Sequence, residues 1–93
     1  MTEEELIEAE IKKEEEDQVD TGWARHWTYI GIHNITSNVL KACIVQKEYD
    51  SEKCIKLILA KYPRYYERIF ATVRDFPDFI HVEEKVKLLL VLL

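Results

Sequence analysis

Gly22, Gly31, Pro63 and Pro77 are the only glycines and prolines in this 93-residue chain, and that scarcity constrains the fold more than any other feature. A β-sandwich or barrel reverses direction every ten or so residues and needs turn residues to do so. Four such positions cannot supply those reversals, so the chain reads as helical. Apolar residues make up 47% of it and charged residues 33%, a balance too apolar for a wholly disordered chain. Its length suits one hydrophobic core rather than two.

Charge divides the chain unevenly. Residues 1–20 hold ten acids against Lys12 and Lys13, a balance of −8, and the net −5 leaves +3 for residues 21–93. The division expected is an acidic N-terminal arm over 1–20 and a helical bundle domain over 21–93. Thr2 and Glu5 have capping-box spacing and open a helix that runs to about Asp17. Only Leu6, Ile7 and Ile11 give it an apolar stripe, so it reads as a peripheral, partly helical arm or a docking peptide. The −8 and +3 split suggests that the arm folds back on the basic helices, or imitates nucleic acid in another protein's basic cleft.

The apolar body begins after Asp20, Thr21 and Gly22. Trp23, Trp27, Ile30 and Asn34 fall at helical spacing, as do Ile35, Val39, Ala42 and Cys43. One long helix or two shorter ones fit residues 22–46, with a break expected at Gly31 to Asn34 and a restart capped by Thr36 or Ser37. Asp50 or Ser51 caps the next helix, whose stripe is Cys54, Ile55, Ile58, Leu59 and Tyr62. Pro63 closes it and opens another, striped by Tyr66, Ile69, Phe70 and Val73. Pro77 marks a further junction before a last helix that ends in leucines and is too short to cross a bilayer. The fold expected is all-α, a compact bundle of four or five helices.

Chemistry is conspicuous mainly by what the spacing lacks. His26, His33, His81, Cys43 and Cys54 form no C-x-x-C, H-x-x-x-H or H-E-x-x-H pair, so no metal site is expected. Two glycines leave little backbone for an oxyanion hole or a phosphate loop, and no catalytic residue, cofactor or small-molecule substrate is expected. Cys43 and Cys54 read as free thiols in the core of an intracellular protein, cytoplasmic or nuclear.

What remains is a non-enzymatic protein-interaction or regulatory module, an adaptor or homo-oligomer. Its expected interface is the C-terminal helix through Val82, Val86, Leu89, Leu90 and Leu93, with Leu6, Ile7 and Ile11 of the arm as a second docking element. The alternative is a small nucleic-acid-binding domain whose basic, tyrosine-rich surface comprises Lys53, Lys56, Lys61, Arg64, Tyr65 and Arg68.

Overall fold

The computed structural model describes residues 2–18 and 24–92, with the side chains of 2–16 and 29–89. Five α-helices account for most of these residues: α1 Glu3–Gln18, α2 Ala24–Val45, α3 Ser51–Lys61, α4 Tyr66–Arg74 and α5 Ile80–Leu92. Single 3₁₀ turns, Pro63–Tyr65 and Pro77–Phe79, lead into α4 and α5. Among the described residues there is no strand, in keeping with the few turn residues.

The spine is α2, and it is unbroken. A glycine in a helix interior costs about 1 kcal/mol relative to alanine, which motivated the break expected at Gly31 to Asn34. Burial outweighs that cost. Ile32, Ile35, Val39, Leu40 and Cys43 all enter the core on either side of Gly31, which is itself buried. Thr36, expected to cap a restarted helix, lies inside the fold with its hydroxyl unpartnered. The expected stripe of Ile35, Val39, Ala42 and Cys43 faces the core, whereas Ile30, expected on the stripe before it, is half exposed, and Ile44 also faces outward. The junction at 20–22, Trp23 and the side chains of His26 and Trp27 lie outside the described residues.

The largest correction concerns α1. It was expected to be peripheral, but Leu6, Ile7 and Ile11 are buried in the same core as α2, α3, α4 and α5. The helix packs against both α2 and α3. Burying three aliphatic side chains contributes about 2 kcal/mol each, so the boundary at residue 20 does not separate an arm from a bundle. The apolar stripe looked narrow because carboxylates complete it. Glu10 accepts from Asn38 Nδ2 at 3.3 Å and Glu14 from Asn34 Nδ2 at 3.5 Å. These pairs are four residues apart on both helices and run in opposite directions, which sets α1 antiparallel to α2.

Local signals place the other helices. Thr2 and Glu5 form the expected capping box: the Thr2 amide donates to Glu5 Oε1 and the Glu5 amide to Thr2 Oγ1, both at 3.2 Å. Asp50 caps α3, its Oδ1 accepting from the Lys53 amide at 3.3 Å. Cys54, Ile55, Ile58 and Leu59 of the expected α3 stripe are buried. In α4 the buried face is Ile69, Phe70, Thr72 and Val73, and Tyr66, expected to share it, is half exposed. Phe76 is extended ahead of Pro77, as proline requires of its predecessor, and its ring meets Phe79 at a centroid distance of 6.5 Å.

A buried carboxylate joins the last two helices. Glu83, 5% exposed, accepts from Arg74 Nε at 2.9 Å and lies 2.8 Å from Lys87 Nζ. The interaction with Lys87 lies within α5, whereas that with Arg74 ties α5 to α4. Lys87 Nζ also stands 5.2 Å from the Phe70 ring centre. With 74 opposite 83 and 70 opposite 87, α5 runs antiparallel to α4.

Two stability measurements by urea unfolding check this arrangement. Ile7→Ala costs about 3 kcal/mol, the loss expected for an aliphatic side chain in a core, whereas a peripheral arm would lose almost nothing. Arg74→Ala costs about 1 kcal/mol by leaving the buried Glu83 carboxylate with Lys87 as its remaining cationic partner, and the double variant Arg74→Ala/Glu83→Met recovers most of that loss because the buried charge is gone.

Candidate interaction surface

Contacts between helices orient the whole bundle. Arg68 Cζ stacks 4.2 Å over the Tyr29 ring, and His33 Nδ1 lies 3.0 Å from Thr72 Oγ1. Residue numbers rise together in these pairs, so α2 and α4 are parallel. The Thr72 hydroxyl gives its only proton to the Arg68 carbonyl at 3.0 Å, so it must accept from His33. A proton on His33 Nδ1 satisfies that contact.

Basic residues expected to form a nucleic-acid surface are instead distributed among acids. Lys53 Nζ lies 3.9 Å from Glu3 and 3.7 Å from Glu4, and Lys61 pairs with Glu8. Lys56 pairs with Glu52 at 3.4 Å, and Lys85 reaches the same carboxylate at 3.3 Å. Desolvation opposes ionisation of Glu52, but hydrogen bonds from Lys85 and Lys56 hold its carboxyl below the usual value. Arg68 is half-buried over Tyr29, Tyr65 is partly buried against the core, and Arg64 is exposed. The three lysines among the six thus lie beside carboxylates, with their side chains still about half exposed. The acidic helix α1 folds onto the basic helix α3, one of the two arrangements its charge suggested.

The interface residues divide in a different way. Leu6, Ile7, Ile11, Val82 and Val86 are all core residues; none of them is available on the surface of the folded chain. Leu89 is 37% exposed, while the side chain of Leu90 and the whole of Leu93 lie outside the described residues. Leu88, 61% exposed, was not singled out from the sequence. A run of leucines carries no phase, and only the neighbours of Val82, Glu83 and Val86 define which leucines face out.

Those exposed leucines sit at a definite place. Because α5 is antiparallel to α4, its last turns lie at the end of the bundle where α4 begins, and because α2 is parallel to α4, α2 begins there too. Tyr66 is exposed at the start of α4, and Tyr29 and Ile30 are exposed in the N-terminal half of α2. Exposed apolar groups from three helices thus lie toward this end, while Ile44, Val45 and Ile80 are exposed elsewhere. A separate groove of about 570 Å³ lies between α1 and the end of α3, lined by Glu8, Ala9, Ile11, Lys12, Glu15, Lys61 and Tyr62. Burial pushes the Tyr62 phenol above its ordinary pKa, and the Glu15 charge adds to the shift.

Among the described residues, no group of three or more His, Cys, Asp and Glu could hold a metal ion, and no helix is long and apolar enough to cross a membrane. His33 is partly buried and His81 is exposed.

The α1–α3 contact carries a pH dependence of known sign. Glu3 accepts the Asp50 amide proton at 3.0 Å, which holds its carboxyl below the ordinary 4.5, with Lys53 adding to the effect. The Thr2 amide and hydroxyl do the same for Glu5. A folded-state pKa below the unfolded one contributes stability that is present above about pH 4.5 and lost as the pH falls through the lowered value. The urea midpoint should therefore drop below pH 4.5, and Glu3→Gln should make that acid limb shallower, because one carboxylate with a lowered pKa is gone.

No family model matches this chain, and neither does any curated protein or solved structure.

Proposed function

We propose that this chain is a non-enzymatic protein-interaction module that self-associates through the end of the bundle carrying Leu88 and Leu89. The observation that carries this reading is the exposure of both leucines in the last turns of α5, at the same end as Tyr29, Ile30 and Tyr66. Exposed apolar side chains of this kind gain by association, because removing them from water is favourable at roughly 25 cal/mol per Å². A two-fold contact places the same patch of both copies against itself, so one helix end can serve both sides. The role is then regulatory or adaptor-like, with assembly as the activity. Two free buried thiols suit a reducing compartment, cytoplasm or nucleus.

Nucleic-acid binding has less in its favour. Lys53 and Lys61 face the carboxylates of α1, so a phosphate backbone would have to displace Glu3, Glu4 and Glu8 to reach them.

Solution mass by light-scattering chromatography, measured over a wide concentration range, tests the proposal. The expected result is a concentration-dependent dimer that Leu88→Glu or Leu89→Glu converts to a monomer with unchanged helical circular dichroism. Both leucines are exposed, so these substitutions leave the core intact, whereas deleting 82–93 would remove Val82, Glu83 and Val86 from inside the fold. A full-length chain that stays monomeric at every concentration sinks the reading.

A further inference from the structure

Cys43 and Cys54 belong to different helices and meet inside the fold. Cys43 lies in the last turn of α2 and Cys54 in the first turn of α3. The Cys43 thiol donates to Cys54 Sγ at 3.9 Å, and both thiols are free. That separation is close to sulfur–sulfur contact and about 2 Å longer than a covalent S–S bond. A fold that needed only small apolar side chains here could have used alanine or valine. Two thiols in mutual contact add a chemical capability that those residues lack.

The surroundings allow the two sulfurs to close that gap. Each cysteine lies within one turn of a helix end, and the connection between them spans only 46–50. Gln46, Lys47 and Glu48 of that connection are exposed. The Gln46 amide bonds to the Ala42 carbonyl at 2.8 Å and the Tyr49 amide to the Gln46 carbonyl at 3.2 Å. Val45 is 80% exposed and Ile44 is 42% exposed, so little side-chain packing secures the last turn of α2 from outside. Segments with few buried contacts open locally at a small fraction of the global unfolding free energy. Opening of this turn admits a small reagent to Cys43, which is 5% exposed, ahead of Cys54, which is fully buried.

We propose that Cys43 and Cys54 are a modification site, a dithiol that a low-molecular-weight disulfide such as oxidised glutathione converts to an intrachain disulfide joining α2 to α3. The Cys43 thiolate attacks one sulfur of the reagent, whose S–S bond breaks, and the released glutathione thiolate takes up the proton that Cys43 lost. Cys54 then gives up its proton and attacks the Cys43 sulfur, expelling the second glutathione, which takes that proton. Two protein thiols are oxidised, one reagent disulfide is reduced, and two glutathione thiols are formed. The hydrogen bond that the Cys54 thiol can turn to give a Cys43 thiolate favours ionisation of Cys43, while the same contact and burial push the Cys54 thiol up. Cys43 is thus the attacking residue and Cys54 the resolving one.

The consequence is a cross-link between α2 and α3 that uses neither Leu88 nor Leu89, so this inference does not depend on the interaction reading. Closing a short loop removes conformations from the unfolded chain and raises stability.

The full chain, kept in native buffer, is equilibrated with oxidised and reduced glutathione at a series of ratios, acid-quenched, and alkylated under denaturing conditions for mass measurement. The expected product has lost both alkylatable thiols together, is about 2 Da lighter than the reduced chain, and carries no glutathione. Its thermal midpoint should rise by on the order of 10 °C. The Cys54→Ser variant should stop at a single glutathione adduct on Cys43. The proposal is overturned if both thiols remain alkylatable at the most oxidising ratio, if both carry glutathione, if the disulfide joins two chains, or if it forms only in denaturant.

Discussion

The bundle depends on the seating of α1 against α2 and α3. A chain of this size buries a smaller share of its surface than a larger domain does, so its core has little to spare. Without Leu6, Ile7 and Ile11, buried faces of α2 and α3 would lie open to water. Local chemistry prepares that seating. Thr2 and Glu5 start the helix at the residue that lets Glu3 cap the Asp50 amide and reach Lys53. One helix end therefore serves two elements distant in sequence.

Charge inside the fold acts on geometry more than on net stability. A buried ion pair loses hydration that its Coulomb attraction only partly offsets. Glu83 illustrates the use made of such pairs, because its partner Arg74 lies across the α4–α5 junction and fixes how α5 returns along α4. The carboxylates of Glu10 and Glu14 on Asn38 and Asn34 have the corresponding role between α1 and α2. An apolar seam alone tolerates sliding by a turn, whereas a ladder of directional hydrogen bonds is satisfied in one register. The exposed lysine pairs with α1 add less, since solvent screens them and long side chains lose freedom in forming them.

The same packing determines what the surface can do. Residues that the sequence marks as sticky, Val82 and Val86 above all, are consumed in the core. The large apolar residues left exposed are those whose helical phase places them outside, and they include residues of α2, α4 and α5. The lysines of α3 are drawn toward α1 by its excess of acids. A charge imbalance legible along the chain thus becomes a contact between two of its helices, which sets carboxylates beside Lys53 and Lys61.

The sequence by itself determined the helical class, the capping box at Thr2 and Glu5, the cap at Asp50, and the junctions at Pro63 and Pro77. Each of these follows from a preference acting over a few residues: a side chain that satisfies a nearby amide, or a ring that fixes a backbone angle. The buried face of α3 was legible for a similar reason, since Cys54, Ile55, Ile58 and Leu59 repeat at helical spacing. Only the tertiary structure decided that α1 belongs to the core, that α2 continues through Gly31, which leucines of α5 face outward, and that Cys43 meets Cys54. In those cases the deciding energy comes from neighbours far away in sequence. A carboxylate that finds an asparagine on another helix can occupy a buried face, and the packing of a helix on both sides of a glycine outweighs the local cost of keeping it straight.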